Sequence, residues 1–380
     1  MTEPVTAAIT SPTALSALLA TATQTPSASL GPYRGVLTPR LLDANEREMA
    51  ALVTGVAVHD LGWMHRVAVR GEDRFRWLSG MVSNTVNELG ANAGAWNLVL
   101  NVQGRILGEL HVWREGSGSE EDALELEIAA DQEQKLLTHL EKFIIMDDVE
   151  LIRLNPEANG PIALGLTGPL ADDLLTRLGL PSLPEPLTSL QAEWNGRAVQ
   201  IMRGYGVLVP HYELWTDAKE MAALWTALLE AGATPVGTDS LESLRIAEGI
   251  PAYGVDIAEK DLPQETSQLR ALHFAKGCYL GQEIVERIHA RGNVHRHLRH
   301  LELDGPLPEV GTELKFQNAT GTEAAAGTIS SATELILSGG NRRFALGMIR
   351  AEAELRNQPF TYTAGAEVRG SARILTALSL

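Results

Sequence analysis

The 380 residues are 44% apolar and 21% charged, ordinary for a soluble globular chain and too apolar for intrinsic disorder. A single cysteine, Cys278, excludes an internal disulfide framework, and no apolar run reaches the roughly 18 residues of a membrane-spanning helix. With 31 basic against 48 acidic side chains the net charge is −17, so a polyanion would have to find a local basic island.

At about 150 residues per domain the length predicts two or three domains. Residues 1–30 are mostly Thr, Ala, Ser and Pro, and the first basic residue is Arg34. A secretory or organellar signal needs early positive charge, so residues 1–33 are expected to be a flexible tail. The run Ala14–Ala20 is too short for an anchor. A lone thiol without an export signal then points to the reducing cytoplasm.

From Val36 the pattern becomes globular. Residues 43–54 read as a helix with Asp43 as candidate cap, followed by a strand at Val56–Leu61. Arg66–Val69 reads as a strand, and Glu72–Gly80 as a helix with Phe75 and Leu78 on one face. Residues 95–114 form a hairpin turning at Gln103-Gly104. A solvated loop at 116–122 leads to a strand at Leu124–Ile128. Asp131 then caps an amphipathic helix carrying Leu136, Leu137, Leu140 and Phe143. Pro156–Pro161 and Leu180–Pro186 mark connections around a helix at Gly168–Leu178. Asp217 with Glu220, and Asp239 with Glu242, have the spacing of capping boxes, the second for a helix that Gly249 stops. After about Arg296, short β-rich runs alternate with Gly, Asn, Asp and Pro turns, the texture of a small antiparallel barrel or sandwich. No 20–50-residue repeat is present, which excludes solenoids and propellers.

Chemistry concentrates in 276–300. Cys278 lies between Lys276-Gly277 and a segment, 279–289, that reads as a helix. A thiol at a helix N-terminus beside a lysine is expected to hold more thiolate than a free cysteine; the alternative is an inert buried thiol. Lys276, Arg287, Arg291, Arg296 and Arg299 outnumber Glu283 and Glu286, giving a local +3. His273, His289, His295, His297 and His300 lie in or beside the same stretch. This island reads either as a wall for an anion (a polyglutamate tail, a phosphate, RNA) or as a solvated strand with charges alternating outward. A metal site is not expected, since no second ligand cluster completes a shell. RNA binding is disfavoured by overall acidity and by the lack of interleaved aromatics. Gly204-Tyr-Gly206 is a turn rather than a phosphate loop, Asp147-Asp148 a solvated turn, and His59-Asp60 lacks a serine partner. A lone strand carboxylate such as Glu213 is more often a surface residue than a ligand contact.

The octet Lys276-Gly-Cys-Tyr-Leu-Gly-Gln-Glu283 resembles the signature of the YgfZ-type folate-binding proteins, relatives of the glycine-cleavage aminomethyltransferase (T-protein). His59-Asp-Leu-Gly-Trp63, the segments 71–84 and 100–105, and Leu244–Gly254 match further stretches in the family's order. The resemblance implies an α+β fold of three domains in a ring: a discontinuous folate-binding domain (34–65 plus 152–290), a domain inserted in it (66–151) and a C-terminal antiparallel β-barrel (291–380). It further implies tetrahydrofolate as cofactor, with Glu213 where the family has its pterin-binding carboxylate and Arg245 near the folate tail. Trp96, Asn101 and Tyr253 complete the binding set, and Cys278 with Lys276 forms the candidate catalytic pair. Its implied partners are iron–sulfur enzymes, including radical enzymes that thiomethylate tRNA, without direct nucleic-acid or membrane binding. One departure matters: where aminomethyltransferases carry an Asp tied to one-carbon transfer, this chain has Gly108, which cannot pair with an amine. Glu109 is the only nearby substitute, and alternation along a strand is expected to turn it away from the pocket. The alternative remains a folate-dependent aminomethyl- or methyltransferase.

Overall fold

Helices and strands alternate as far as residue 291, whereas from Arg296 onward the elements are strands and one short helix among the described residues. The structure, a computed structural model, describes residues 11–21, 29–119, 121–155, 160–292, 294–336, 340–365 and 368–376. Two compact units emerge: residues 1–81, 85–97 and 109–241, and residues 82–84, 98–108 and 242–380.

The first unit opens with α1 (Ala14–Thr21). Composition assigns this segment to the tail, and the structure corrects that assignment. Leu15 is 1% exposed in the unit's core, with Leu18 and Leu19 packed against it, a helical stripe hidden by Thr and Ser neighbours. Residues 1–10 and 22–28 of the expected tail lie outside the described residues. A ribbon, β1 (Leu30–Tyr33) and β2 (Val36–Pro39), leads to α2 (Asn45–Thr54), which has no side-chain cap. Asp43 accepts its neighbour's amide (2.7 Å) and pairs with Arg47 (3.6 Å) without capping the helix. The fully buried Glu48 holds this corner instead, accepting the amides of Leu42 (2.6 Å), Asp43 (2.9 Å) and Gly237 (3.1 Å) and the Ser240 hydroxyl (2.6 Å).

The chain continues through β3 (Ala57–Asp60), β4 (Met64–Arg70), α3 (Arg74–Ser79), β5 (Ala93–Leu100), β6 (Ile106–Glu115), β7 (Ala123–Ala129), α4 (Ala130–Glu141), β8 (Glu150–Arg153) and β9 (Pro161–Thr167). Then follow α5 (Ala171–Arg177), β10 (Thr188–Trp194), β11 (Arg197–Arg203), β12 (His211–Asp217), α6 (Met221–Glu230), β13 (Thr234–Pro235) and α7 (Thr238–Ala247). The Pro156–Pro161 connection falls largely outside the described residues. Neither expected capping box forms: Glu220 is drawn to Arg197 (2.5 Å), and Asp239, inside α7, to Arg40 (3.0 Å). Ion pairs with arginines outcompete the local cap. Gly249, at φ +70°, does end α7, in the left-handed conformation that glycine adopts without strain.

The sheet of this unit runs β13-β3-β9-β12-β11-β10-β5-β6-β7-β4-β8, with β13 parallel to β3 and β3-β9-β12-β11-β10 antiparallel. One face of β9, β11 and β12 carries Leu164, Leu166, Ile201, Tyr212 and Leu214, packed on α5 and α6 through Leu174, Leu224 and Leu228. On the opposite face Trp113, Ala163, Met202 and Trp215 form a second cluster, so the β6-β7-β4 limb lies across the β9-β12-β11 limb.

In the second unit α8 (Gln282–Arg291) precedes β14 (Arg296–Asp304), β15 (Glu313–Gln317), β16 (Glu323–Leu335), β17 (Arg342–Arg350), α9 (Ala351–Glu354), β18 (Phe360–Ala364) and β19 (Val368–Ile374). The six strands close a barrel in the order β14-β17-β16-β15-β18-β19, β14 pairing with both β17 and β19. Alternation places Leu314, Phe316, Phe360 and Tyr362 inside. The longest of these strands, β16, is continuous through an irregularity between Ile329 and Ser331. The fold is thus α+β with a closed antiparallel C-terminal barrel.

Candidate functional site

Period-two alternation along β12 sends Tyr212 and Leu214 into the core and leaves Glu213 and Trp215 on the opposite face. Glu213 stands opposite Met202 on β11 and Gly165 on β9. The covering limb brings three more polar side chains together, because in its register Arg66 on β4 and His111 on β6 both flank Glu127 on β7.

Arg66 is 3% exposed. It pairs with Glu125 (2.6 Å), donates to the Gln200 amide oxygen and stacks on the Trp215 ring (5.1 Å), while its Nε has no hydrogen-bond partner. Glu127, 2% exposed, accepts the Trp113 indole N–H (2.9 Å) and lies 3.5 Å from His111 Nδ1. Glu213 accepts the Trp215 indole N–H (2.8 Å), and its carboxyl lies beside that of Glu127. As a residue Glu213 is half-buried, but its carboxyl group is enclosed.

The two carboxyls therefore diverge. Burial, and then the negative Glu127 beside it, push Glu213 well above the ordinary carboxylate range. Burial would also raise Glu127, but His111 and Arg66, with the Trp113 N–H, hold it below that range. The two shifts run in opposite directions, and both disfavour a state in which the adjacent carboxyls are ionised together. Nearby, Glu115 is raised by burial, partly offset by the Ser189 hydroxyl (2.9 Å). His59, packed where a Cβ on Gly165 would lie 1.8 Å from its ring, is driven down to about 3 by burial and stays neutral. Among the described residues Arg66 is thus the one full cation set among Glu115, Glu125, Glu127 and Glu213. A surface pocket of about 220 Å³ opens beside it, walled by Glu125, Gln191, Gln200 and Trp215. Such a site accepts hydrogen bonds and favours ligand groups that donate them.

The other residues singled out by sequence take different places. Trp96, also in the first unit, is 6% exposed on β5. Asn101, Arg245, Tyr253, Lys276 and Cys278 belong to the second unit. Asn101 Oδ1 accepts the amides of Gln103 (3.0 Å) and Arg105 (2.9 Å), closing the turn between β5 and β6. Arg245 is occupied by Asp256 (2.7 Å), Glu242 (2.8 Å) and the Ile250 carbonyl (2.5 Å). Tyr253 bridges to Ile257. The Lys276 ammonium donates to the carbonyls of Val82 (2.7 Å) and Asn84 (2.6 Å), and Cys278 is exposed.

The helix after the octet starts three residues later than its pattern predicts. Gly281 is left-handed at φ +82° and Gln282 Oε1 accepts the Tyr279 amide (3.1 Å), so a turn separates Cys278 from α8. Much of the basic island is internally paired: Arg296 with Asp261 and Glu265, Arg299 and His297 with Glu354. Among the described residues no group of three or more His, Cys, Asp or Glu has a metal-binding arrangement, and no helix is long and apolar enough to cross a membrane. Gly108 is buried on β6. Glu109 points to the opposite side of β6 from Gly108 and shares its strand face with His111 and Trp113, the two side chains that meet Glu127. Arg66, Glu125 and Glu127 escape sequence reasoning because Leu124-Glu-Leu-Glu-Ile reads as a strand with a solvated face. A second limb in fact covers that face.

Comparison with known proteins sets this geometry in a family. Residues 22–276 match the GCVT N-terminal domain. The chain belongs to the GCVT family. A chloroplastic protein of Arabidopsis thaliana named as a transferase is 24% identical over 331 residues, 86% of this chain and 72% of that one. Aminomethyltransferases of Nostoc (24% over 285 residues, 73% of this chain and 74% of that one) and Thermus thermophilus (27% over 281 residues, 73% and 77%) are similar at the same level. Among solved structures, the aminomethyltransferase T of the Bartonella henselae glycine cleavage system superposes with a TM-score of 0.81 over 97% of both chains at 20% identity. That likeness establishes the fold. This GCVT-family chain thus has the aminomethyltransferase fold and relatives named as transferases.

Proposed function

We propose that this GCVT-family protein binds a reduced folate at the Glu213 face and acts, as YgfZ-type proteins do, in support of iron–sulfur enzymes in the cytoplasm. Its clients would include radical enzymes that thiomethylate tRNA. The carrying observation is that Cys278 is exposed on an octet anchored by Lys276; the resemblance, which sets Gly108 in the place of the aminomethyltransferases' reacting Asp, supports the same reading. The Glu213 carboxyl suits the amino–amide edge of a pterin, which presents adjacent N–H donors. In a strain lacking this protein, iron–sulfur enzymes should lose activity under oxidative stress and recover with the native chain but not with Cys278→Ser. Undiminished activity in the deletion strain would refute the proposal.

A second reading has one observation in its favour. Glu109 faces the same side of β6 as His111 and Trp113, so this strand turns a carboxylate toward the side on which Trp113 meets Glu127, and that carboxylate would serve a folate-dependent aminomethyl- or methyltransferase. Purified protein with tetrahydrofolate and an aminomethylated lipoyl carrier separates the two. Enzymatic formation of methylenetetrahydrofolate, abolished in Glu109→Gln, would favour the transferase.

A further inference from the structure

We propose that Glu127 and Glu213 hold a single proton between them, and that a ligand presenting paired N–H donors to Glu213 binds by expelling it. Glu127 is then the positioning residue that decides at which pH the site fills. The inference deepens the folate reading and rests on it for the ligand's identity; the shared proton stands on this chain's own residues.

The carboxyls come from opposing limbs and meet in a box whose apolar wall is Trp113, Met202, Ala163 and Trp215. Each has an oxygen fixed by an indole N–H, from Trp113 to Glu127 and from Trp215 to Glu213. What remains of Glu213 faces Glu127, and an unprotonated pair would set two bare anions in contact. Among the described residues no neighbouring element supplies a charge that removes the conflict. From β4, Arg66 is committed to Glu125, Gln200 and the Trp215 ring. From β6 come His111, which lies against Glu127, and the acids Glu109 and Glu115. From β7 comes Glu125. From β3, His59 is neutral and turned to Thr167 Oγ1 (3.0 Å), which also contacts His211 of β12 (3.2 Å). The proton stays on the pair.

A pterin edge offering two N–H groups needs Glu213 as a carboxylate, because an acid presents one acceptor and one competing donor. The step is an acid–base exchange: the Glu213 O–H bond breaks, its proton leaves to solvent, and the ligand's N–H groups take over the hydrogen bonding. Below the titration of the pair, affinity should rise up to tenfold per pH unit, since one proton is released per ligand bound. A ligand that presents acceptors or an anion to Glu213 itself meets the carboxyl oxygens of Glu213 and Glu127 and is disfavoured.

The test has a ligand-free arm and a ligand arm. Infrared spectra of the ligand-free protein at pH 7 should show a protonated-carboxyl band that disappears in Glu127→Gln, where Glu213 ionises against an amide donor, and in Glu213→Gln. Calorimetry with 5-formyltetrahydrofolate, in buffers of differing ionisation enthalpy, should show release of close to one proton by the native protein and none by Glu127→Gln. The affinity of Glu127→Gln should change less than twofold between pH 6 and 8. A native pH slope retained in Glu127→Gln, or no difference in the band, overturns the shared proton. If Glu127→Gln does not fold, Glu213→Gln, which mimics the protonated residue in shape and charge, decides through the band alone. Absence of reduced-folate binding by the native protein, with the band present and lost as stated, would instead refute the folate reading and leave the proton pair established.

Discussion

Replacing Arg245 by methionine tests whether that arginine is a ligand group or part of the scaffold. Its side chain is 12% exposed and that of Asp256 is 0% exposed. The guanidinium joins Asp256 at 2.7 Å, Glu242 at 2.8 Å and the Ile250 carbonyl at 2.5 Å. Methionine keeps most of the volume but strands a buried carboxylate. Breaking a buried pair from one side costs about 3–5 kcal/mol. Asp256 retains the Ala252 amide (3.1 Å) and the hydroxyls of Ser330 (2.5 Å) and Ser331 (2.6 Å), which places the loss near the lower end. At about 2–4 °C per kcal/mol for a unit of this size, about 3 kcal/mol lowers the melting temperature by roughly 6–12 °C. Arg245→Met with Asp256→Asn should recover part of it, since the second change removes the stranded charge. Scanning calorimetry on the native chain, both single variants and the double variant measures this. A melting temperature for Arg245→Met within a degree or two of the native value, combined with tenfold weaker folate binding, would show that the guanidinium serves the ligand and not the fold.

Burial lifts the Asp60 carboxyl to about 6; a raised folded value means stability complete below the unfolded value near 3.8 and lost as pH climbs through 6. Asp60→Asn should accordingly be more stable at pH 8 by on the order of 2–3 kcal/mol, and a native denaturant midpoint that does not fall relative to that variant between pH 4 and 6 would contradict this. Gly165→Ala drives a methyl to 1.8 Å from the His59 ring and should cost roughly 1–3 kcal/mol or prevent folding, whereas Gly90→Ala, with nothing within 4 Å, should melt like the native chain; equal melts would refute the packing. Exposed Cys278 should react with iodoacetamide without denaturant, and Cys278→Ser should leave the melt unchanged. Lys276→Ala removes a donor from the Val82 and Asn84 carbonyls and should cost roughly 1–3 kcal/mol; a thiol that reacts only after unfolding, or a Lys276→Ala melt identical to the native one, would count against these assignments.

The fold was legible where a segment's own pattern decides its state. Short β-rich runs between Gly, Asn, Asp and Pro turns marked a C-terminal antiparallel barrel or sandwich, and Gly249 marked the end of α7. It was illegible where a distant partner decides. Asp43 has the chemistry of a cap, but Glu48, far along the chain from Gly237 and Ser240, gathers the free donors of that corner. Asp217 and Asp239 stand at cap spacing, yet arginines from elsewhere claim Glu220 and Asp239. Leu15 gives a core contact to a segment whose composition reads as solvated.

The site follows the same logic more sharply. Glu213 alone is a strand carboxylate, for which exposure is the ordinary fate. Its environment comes from Arg66, Glu127 and Trp215, residues on three different strands, and each is ordinary in its own strand. Period-two alternation does announce that Glu125 and Glu127 share a face, as do Glu109, His111 and Trp113. It does not announce that the face is covered. Covering converts a solvated acidic stripe into a box where water no longer screens the charges, and burial together with the neighbouring Glu127 charge raises Glu213. Two glutamates that water would keep apart thus become a proton-sharing pair, and the chemistry of the site follows from the packing of the β6-β7-β4 limb on the β9-β12-β11 limb.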